Sequence, residues 1–342
     1  MHKQIRFLLF CFVCFISVLN GQTLNGKISG MTLVAPRDSF SNNPFERLQQ
    51  INCQWVAVVP YAFTPSGEAS VRFGNNHQWW GETPRGAEAT IQLAHESGLK
   101  VMLKPQLWMH NSWVGALDFQ LEDEWISWEK DYRKYIMSFA AIAEHNNVEL
   151  LCIGTEFKIA VQKRTSFWIK LIEDVRKVYN GPITYCANWD DFEDVPLWPH
   201  LDIIGISAYF PLSENATPKR SELESKWKPI KKRIGKLSAK MNNKKVLFTE
   251  YGYLSVDGCA GKTWELEKQR MQLSINEEAQ CNAFESLYAS FCDEPYWLGG
   301  FLWKWYPNES YRRKDFRMRD YTPQNKKAEK VISEWFTEFN KS

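Results

Sequence analysis

The segment Leu150-Leu151-Cys152-Ile153-Gly154-Thr155-Glu156 is an apolar run that ends in a carboxylate. Its near-continuous hydrophobicity is typical of a strand in a parallel sheet, because helices cover both faces of such a sheet. A second run of the same kind, Val246-Leu247-Phe248-Thr249-Glu250, also ends in a glutamate. The two segments predict buried strands, each with an acid at its carboxyl end.

Similar runs recur along the chain, and each is followed by a polar loop and a segment with helical periodicity. Eight alternations over 342 residues predict an α/β fold of the (β/α)8 TIM-barrel type, with a single domain at residues 25–340. A doubly wound open sheet is the competing architecture. No GxGxxG follows the first run and no Walker sequence is present, so the motifs that commonly accompany an open sheet are missing. The predicted strands are 28–35, 54–60, 100–104, 148–153, 182–187, 201–207, 245–249 and 297–303.

The predicted helices are recognised by their apolar spacing and by their stop signals. One of them stops at Gly98, a residue type favoured just after a helix, and another stops before Asn180-Gly181-Pro182. The predicted helical segments are 84–97, 122–146, 166–179, 222–241, 264–292 and 324–339.

Glu156 and Glu250 end the fourth and seventh predicted strands. Side chains at the carboxyl ends of barrel strands line the active site, and strands four and seven face each other across part of the mouth. A glutamate at one strand end is more often a surface or ion-pair residue, but the pair at these two strands favours a function. A retaining glycosidase needs such a pair, about 5 to 5.5 Å apart, with one acid attacking the sugar and the other supplying a proton.

The composition narrows the classes of ligand. The formal net charge is +2, and Lys and Arg alternate with Asp and Glu rather than forming basic stripes, which gives no support for nucleic-acid binding. The chain holds 16 Trp, 13 Tyr and 21 Phe, a surplus that suits flat, partly hydrated ligands. The six His residues show no cluster with metal-ligand spacing, so we expect neither a metal nor another cofactor.

Motifs spread over nearly the whole chain resemble those of the retaining barrel glycosidases that carry the acid/base on strand four and the nucleophile on strand seven. The chain is most similar to glycoside hydrolase family 113. The matching motifs are Gly30-Met31-Thr32, Lys104-Pro105-Gln106, Gly154-Thr155-Glu156, Ala187-Asn188-Trp189, Ser207-Ala208-Tyr209-Phe210-Pro211, Thr249-Glu250-Tyr251-Gly252 and Gly300-Phe301-Leu302-Trp303.

This resemblance implies endo-acting hydrolysis of β-1,4-linked mannan or glucomannan polysaccharides and oligosaccharides by double displacement, without a metal. Glu156 then matches the acid/base and Glu250 the nucleophile. Tyr209 would donate a hydrogen bond to the nucleophile, and Trp303 would form the apolar floor under the sugar that is cleaved. Many members of the wider clan have Asn before the acid/base, where this chain has Thr155.

That Asn contacts the sugar 2-hydroxyl, at which mannose and glucose differ. A β-1,4-glucanase or an exo-β-mannosidase on the same barrel is therefore an alternative. A carbohydrate-binding barrel that has lost catalysis is another, although it would not need both strand-end acids.

Further aromatic and polar residues follow the predicted strands and are candidates for sugar contacts at the rim. For any single Trp, packing within the barrel is the alternative, and Lys104 could simply pair with a neighbouring acid. The predicted substrate-binding residues, besides Tyr209 and Trp303, are Trp189, Asn188, Lys104, Trp80 and Trp108. Trp79, Trp113, Trp305, Tyr253, Gln106 and His110 are further candidates for the rim.

The amino terminus predicts export. A positively charged start is followed by the short apolar run 7–19, so residues 1–22 match a signal peptide, with an uncleaved anchor as the alternative. We expect a periplasmic, cell-surface or extracellular protein without stable membrane insertion after cleavage. Cys152 and Cys186 are predicted to be buried thiols. Cys281 and Cys292 lie too far apart on one predicted helix to pair. The sequence does not indicate an oligomeric state.

Overall fold

The computed structural model describes residues 24, 26–75, 77–308 and 312–341. The predicted signal peptide at 1–22 lies outside the described residues. The described part contains a closed barrel of eight parallel strands and a separate sheet of two strands. The barrel strands are β1 (Ile28–Leu33), β2 (Trp55–Val58), β4 (Lys100–Leu103), β6 (Leu150–Thr155), β7 (Ile183–Asn188), β8 (Ile203–Ser207), β9 (Val246–Tyr251) and β10 (Trp297–Trp305), and the small sheet is β3 (Tyr61–Thr64) with β5 (Gln106–Met109).

Strand order confirms the predicted barrel. The order is β1-β10-β9-β8-β7-β6-β4-β2, and β2 pairs with β1 to close the ring. Each barrel strand overlaps one of the eight predicted runs. The helices are α1 (Glu46–Gln50), α2 (Pro84–Glu96), α3 (Glu122–His145), α4 (Lys158–Lys163), α5 (Thr165–Val175), α6 (Arg220–Lys240), α7 (Thr263–Gln269), α8 (Glu277–Phe291), α9 (Lys314–Arg319) and α10 (Lys327–Phe339).

Helix α2 shows how local signals set the element bounds. The Thr83 side chain accepts a hydrogen bond from the Gly86 backbone, and Pro84 occupies the first turn, where its missing N–H costs nothing. The helix ends before Gly98, whose φ of +73° is a conformation that glycine adopts without steric penalty. The predicted stop at Gly98 is confirmed.

One predicted helix is wrong. The sequence predicts a continuous helix over 264–292, but the structure has α7, a short 3-10 turn at Arg270–Gln272, and then α8. The break lies at Asn276, whose side chain accepts a hydrogen bond from the Ala279 backbone and caps α8. Asparagine at this position with acids in the next turn is a start signal. Helix α7 therefore belongs to the long loop that follows β9.

The two-stranded sheet was not expected from the sequence. Pro60 follows β2 and Pro105 follows β4, and proline has no N–H with which to continue a strand ladder. The chain leaves the barrel at both prolines, and β3 then pairs in parallel with β5. The Tyr135 hydroxyl on α3 donates to the Pro60 carbonyl at 2.9 Å and so ties this sheet to the helical layer.

The barrel core has two layers of apolar side chains. An inner cluster comes almost entirely from the strands and includes the thiols of Cys152 and Cys186, which are fully buried as the sequence predicts. A larger cluster lies between strands and helices and contains Trp128, which stacks on Tyr132 with ring centroids 4.7 Å apart. No helix within 26–75, 77–308 or 312–341 is both long and apolar enough to cross a bilayer.

One compositional expectation fails on the surface of α6. Four lysines spaced four residues apart follow one another along the exposed side of this helix. Spacing of this kind brings side chains to neighbouring positions on a helix surface. The prediction that basic residues nowhere form a stripe is therefore wrong for α6, whose exposed residues include Lys228, Lys232, Lys236 and Lys240.

Candidate active site

Glu250 lies near the carboxyl end of β9 with 8% of its surface exposed. Its Oε1 accepts a hydrogen bond of 2.7 Å from the Tyr209 hydroxyl, and its Oε2 pairs with the Lys104 ammonium. Tyr209 follows β8 and Lys104 follows β4, so residues from two other parts of the barrel hold the Glu250 carboxylate. Both oxygens are fixed, which orients the carboxylate towards the mouth of the barrel.

Lys104 is completely buried. Burial is the largest single influence and would lower the pKa of the lysine, but the negative charge of Glu250, the two neighbouring thiols and the hydrogen bond to Glu250 together outweigh it, so the pKa of Lys104 lies above its ordinary value. The ammonium therefore stays charged and balances the Glu250 carboxylate. The sequence predicts Lys104 as a sugar contact; the structure leaves it no exposed surface and pairs it with Glu250, which is the alternative considered above.

Glu156 directly follows β6 and has a φ of 58°, in the left-handed region that residues with a Cβ rarely adopt. Such a conformation costs about 1 kcal/mol and persists only where the surroundings impose it, often at functional sites. Here the Glu156 N–H donates to the Cys186 carbonyl at 2.8 Å, and its carbonyl accepts from the Lys158 N–H at 2.8 Å. These bonds on both sides turn the chain at Glu156, and the residue is partly exposed.

The surroundings raise the pKa of Glu156. Burial of the carboxyl group is the largest cause, and the negative charge of Glu250 is the second. The hydrogen bond from the Trp113 indole N–H, which lies 2.9 Å from Oε2, acts in the opposite direction. The two carboxyl groups are therefore close enough to affect each other, and their environments differ as an acid and a nucleophile require.

Trp303 and Tyr209 border a small apolar cluster beside Glu250. Both are partly exposed and pack against the buried side chains of Leu254, Val256 and Tyr321. The rings of Tyr209 and Tyr321 meet edge to face with centroids 6.2 Å apart. Trp303 thus lies at the carboxyl end of the eighth barrel strand, where the sequence places it, and Tyr209 makes the predicted hydrogen bond to Glu250.

Trp189 follows β7 and stacks on Trp264 of α7, with centroids 5.6 Å apart and an interplanar angle of 10°. Trp189 is partly exposed and Trp264 is 41% exposed. No residue of α7 is fully buried, although its Leu266 packs against the small apolar cluster described above. The parallel pair forms a flat apolar surface at the rim.

The closed barrel thus carries two different glutamates. Glu250 on the seventh strand is ion-paired, and Glu156 after the fourth strand has a raised pKa. The model of Glycoside Hydrolase Family 113 matches residues 36–326, which is most of the chain. The protein belongs to glycoside hydrolase family 113. It is accordingly a glycoside hydrolase. A comparison with curated protein sequences gives no significant match.

Solved structures agree with the family 113 assignment. The GH113 beta-mannanase AaManA from Alicyclobacillus acidocaldarius is similar with a TM-score of 0.79 and 24% identity, over 92% of this chain and 98% of that chain. A GH113 beta-1,4-mannanase has a TM-score of 0.72 and 25% identity, over 92% and 99% of the two chains. A beta-glucuronidase from Ruminococcus gnavus has a TM-score of 0.62 and 16% identity, and the match covers 91% of this chain and 50% of that one.

The small sheet of this family 113 protein carries two of the predicted rim residues. Trp108 on β5 is 45% exposed and packs edge-on against Phe63 of β3, with His110 on its other side. Trp80 lies in the segment after β3, packed edge to face on Phe40 at 5.7 Å. Neither the contacts of Trp108 nor those of Trp80 include the two carboxylates. Trp79 next to it contacts the Arg37 guanidinium at 4.7 Å.

Asn188 ends β7, and its side-chain amide donates to Asp190 at 3.0 Å. It is partly exposed next to Trp189, and its role as a substrate-binding residue stays a prediction. Gln106 is also partly exposed, but its Oε1 atom is buried and has no hydrogen-bond partner within the described residues.

For two residues of the family 113 hydrolase, the predicted position at the rim is wrong. Trp305 is 1% exposed and Tyr253 is 4% exposed, and both belong to the large core cluster. In β10, Trp303 pairs with Thr32 and Trp305 pairs with Leu33. Two steps on β10 thus match one step on β1, and such a bulge redirects the following side chain. Trp305 therefore enters the core instead of the rim.

Several residues at the site were not identified from the sequence. Trp113, predicted only as a rim residue, donates to Glu156, and Trp264 stacks on Trp189. Ser207 lies within a quoted motif but was given no role, although it pairs in register with Glu250 of β9. The position of Ser207 at the end of a predicted strand was the available signal. Trp264 gave none, because it falls inside the segment predicted as one long helix.

Proposed function

We propose that this protein hydrolyses β-1,4-mannosidic bonds in mannan or glucomannan polysaccharides or oligosaccharides by double displacement. Glu250 acts as the nucleophile and Glu156 as the acid/base. The observation that carries the proposal is the contrast between two neighbouring carboxyl groups. Lys104 and Tyr209 hold Glu250 ready for attack, whereas burial and the Glu250 charge raise the pKa of Glu156.

In the first step a Glu250 oxygen attacks the anomeric carbon while the bond to the leaving oxygen breaks. Glu156 gives its proton to that oxygen, so the leaving sugar departs as an alcohol. A covalent bond now joins the glycosyl unit to Glu250, and Glu156 is left as a carboxylate. The Lys104 ammonium and the Tyr209 hydroxyl keep the two Glu250 oxygens aligned for this attack.

In the second step the Glu156 carboxylate removes a proton from water, and the water oxygen attacks the anomeric carbon. The bond to Glu250 breaks, and its carboxylate is restored. The ester formed on Glu250 carries no negative charge, so one cause of the raised pKa of Glu156 disappears in the intermediate. The raised pKa keeps Glu156 protonated as the acid of the first step, and the lower pKa in the intermediate keeps it ionised as the base of the second step.

The substrate class rests on family membership and on the aromatic rim. Trp303 packs against the same small apolar cluster as Tyr209, and the parallel rings of Trp189 and Trp264 offer a platform for a pyranose face. The solved GH113 structures named above are beta-mannanases, which favours mannan. A β-1,4-glucanase is the second candidate, because Thr155 stands where many clan members use Asn and its hydroxyl is buried without a partner among the described residues.

A substrate screen tests this assignment. The chain from residue 23 onward is offered glucomannan, galactomannan, xylan and cellulose, and reducing ends are measured over time. We expect release from the two mannan substrates, with product lengths that show cleavage within the chain. Release from cellulose alone would contradict the mannan assignment, and mannose as the sole early product would indicate exo action.

Two measurements test the mechanism. Proton NMR of the first product should show the β-anomer before mutarotation, and an α-anomer would exclude double displacement. Glu250→Ala should reduce kcat by about 10⁴-fold or more, because removal of a nucleophile leaves only binding and electrostatic assistance. Glu334→Ala is the matched control, since this glutamate of α10 has a side chain that is 63% exposed on the outer layer. Undiminished turnover in Glu250→Ala would contradict its assignment.

We also propose that the protein is exported, which the charged start and the apolar run at 7–19 support. Cell fractionation with amino-terminal sequencing tests this. A mature chain that begins near residue 23 outside the cytoplasm is expected, and a full-length chain confined to the cytoplasm would contradict it.

A further inference from the structure

Helix α6 is strongly basic, although the chain as a whole is nearly neutral. Its 21 residues include eight Lys or Arg and two Glu, a net charge of +6, whereas the whole chain has a net charge of +2. Both acids lie near the start of the helix, and no acid of α6 follows Glu224. The remainder of the chain is therefore net negative, and the positive excess lies on one outer helix.

Four exposed lysines form a line along α6. These residues, the lysine stripe, are Lys228, Lys232, Lys236 and Lys240. At about 100° per residue, successive stripe positions turn by about 40°, so the four lie within about one third of the helix circumference. The buried residues of α6, which include Trp227 and Ile234, lie on the opposite side, and the two sets are centred about 180° apart. The stripe thus extends for about 18 Å on the side that faces solvent.

Other cations of α6 pair with acids of neighbouring elements. On one side of the stripe Arg233 donates to Glu193 at 2.9 Å, and on the other side Lys231 pairs with Glu294 at 2.9 Å. Within the part of the chain that the structure describes, no acid forms a salt bridge with a stripe lysine. Like charges four residues apart repel each other on a helix. The stripe therefore carries four uncompensated charges that would gain from an anionic partner.

The chemistry of the lysine stripe favours a surface of phospholipid phosphates over a polymer. Its cations are ammonium groups, which act as point charges, whereas bidentate recognition of a single phosphate uses the planar fork of Arg. Among the described residues, no large apolar side chain of α6 is exposed, so bases or sugar rings find no stacking surface there. Attraction of lysines to anionic headgroups needs only their number and their proximity to the surface.

We propose that the lysine stripe docks this hydrolase on a membrane surface that carries anionic phospholipids. The ammonium groups contact headgroup phosphates. None of the residues assigned to catalysis or to the aromatic rim belongs to α6, so docking uses no part of the active site. The apolar run at 7–19 predicts that the chain meets a membrane during export, which supports contact with such a surface.

Sedimentation with lipid vesicles tests this proposal on the chain from residue 23 onward. Vesicles of phosphatidylcholine with about one third phosphatidylglycerol are compared with vesicles of phosphatidylcholine alone. Each lysine near an anionic surface strengthens binding about fivefold, so the wild type should bind the anionic vesicles at least about 100-fold more tightly. Binding should fall about tenfold or more between about 50 mM and about 500 mM salt, because the contact is exposed to solvent.

Two variants with the same net charge separate the lysine stripe from charge in general. Replacement of all four stripe lysines by Gln preserves helix propensity and should reduce binding to the level of the neutral vesicles. Binding of the matched control should stay within about threefold of the wild type, because its four lysines are spread over three other helices. The control carries Lys130→Gln, Lys134→Gln, Lys314→Gln and Lys330→Gln, all at exposed positions.

Equal binding of the wild type to both kinds of vesicle would overturn the proposal, as would equal losses in the stripe variant and the control. Polygalacturonate, a soluble acidic polysaccharide, is the competing partner. If it binds in a stripe-dependent manner and the anionic vesicles do not, the membrane assignment is wrong.

Hydrolysis of a manno-oligosaccharide in solution should be unchanged in both variants. Failure of the proposed mannanase activity would therefore leave the vesicle result in force. Circular dichroism checks folding. If the stripe variant does not fold, the double variant Lys232→Gln/Lys236→Gln carries the test, with an expected loss of binding of about 25-fold.

Discussion

Trp113→Phe should make Glu156 a weaker acid. The indole N–H donates to Glu156 Oε2 at 2.9 Å, and a hydrogen bond to the ionised carboxylate favours that form and lowers the pKa of Glu156. The phenyl ring keeps most of the apolar surface but has no donor. The causes that raise the pKa, burial first and the Glu250 charge second, then act with less opposition. The pKa of Glu156 therefore rises.

The size of the shift follows from the exposure of Trp113. A shielded hydrogen bond to a charged group contributes about 1.5 to 3 kcal/mol. Trp113 is 42% exposed, so water replaces part of the lost bond and about 1 kcal/mol remains. At about 1.4 kcal/mol per unit, the basic limb of kcat/KM should move upward by about 0.7 pH unit.

The assay measures kcat/KM on a manno-oligosaccharide between pH 4 and pH 9. The pH dependence of kcat/KM is used because it reports the pKa of the catalytic acid in the free enzyme. Trp335→Phe is the matched control, because its indole N–H also donates to a glutamate, Glu285 Oε2 at 3.2 Å, between two outer helices. We expect no movement of the limb in the control. A limb that stays in place or moves downward in Trp113→Phe would refute the reasoning.

Three further variants test other parts of the structure. Tyr209→Phe should lower kcat about 10- to 100-fold with little change in KM, because Glu250 loses one of its two orienting donors; steady-state kinetics check this, and an unchanged kcat would count against the role. Trp264→Ala should raise KM about tenfold for mannan and less for mannobiose, as measured by reducing-end release, since the rim platform contacts only longer substrates; equal changes would contradict the platform. Trp128→Ala should lower the free energy of unfolding by about 3 to 5 kcal/mol in urea titrations, and the control Ile126→Ala, at a position 53% exposed, by less than about 0.5; similar losses in both would show that Trp128 is not a core residue.

The barrel could be predicted because each strand is apolar on both faces and each run ends at a polar loop. The same reading fails where a local feature interrupts the pattern. Pro60 and Pro105 redirect two strands into a small sheet, and Asn276 starts a new helix inside a segment with helical periodicity. These signals are present in the sequence, but their effect depends on which neighbour is there to pair or pack.

The strand-end position was enough to find Glu156, Glu250 and Tyr209 as candidates. It was not enough for Trp305, because a one-residue bulge between β10 and β1 moves that ring from the rim into the core. The rule that strand ends line the site specifies the edge of the barrel but not the direction of each side chain.

The order of apolar runs and the residue types at their ends determined the number of strands, the barrel and the two carboxylates, since these follow from local periodicity. Tertiary structure alone decided which groups meet those carboxylates. Lys104 lies far from Glu250 in sequence and pairs with it only across the closed ring, and Tyr209 reaches Glu250 from the neighbouring strand. Hydrogen bonds and charge pairs of this kind depend on distances of a few ångströms between segments remote in sequence, which no single segment encodes.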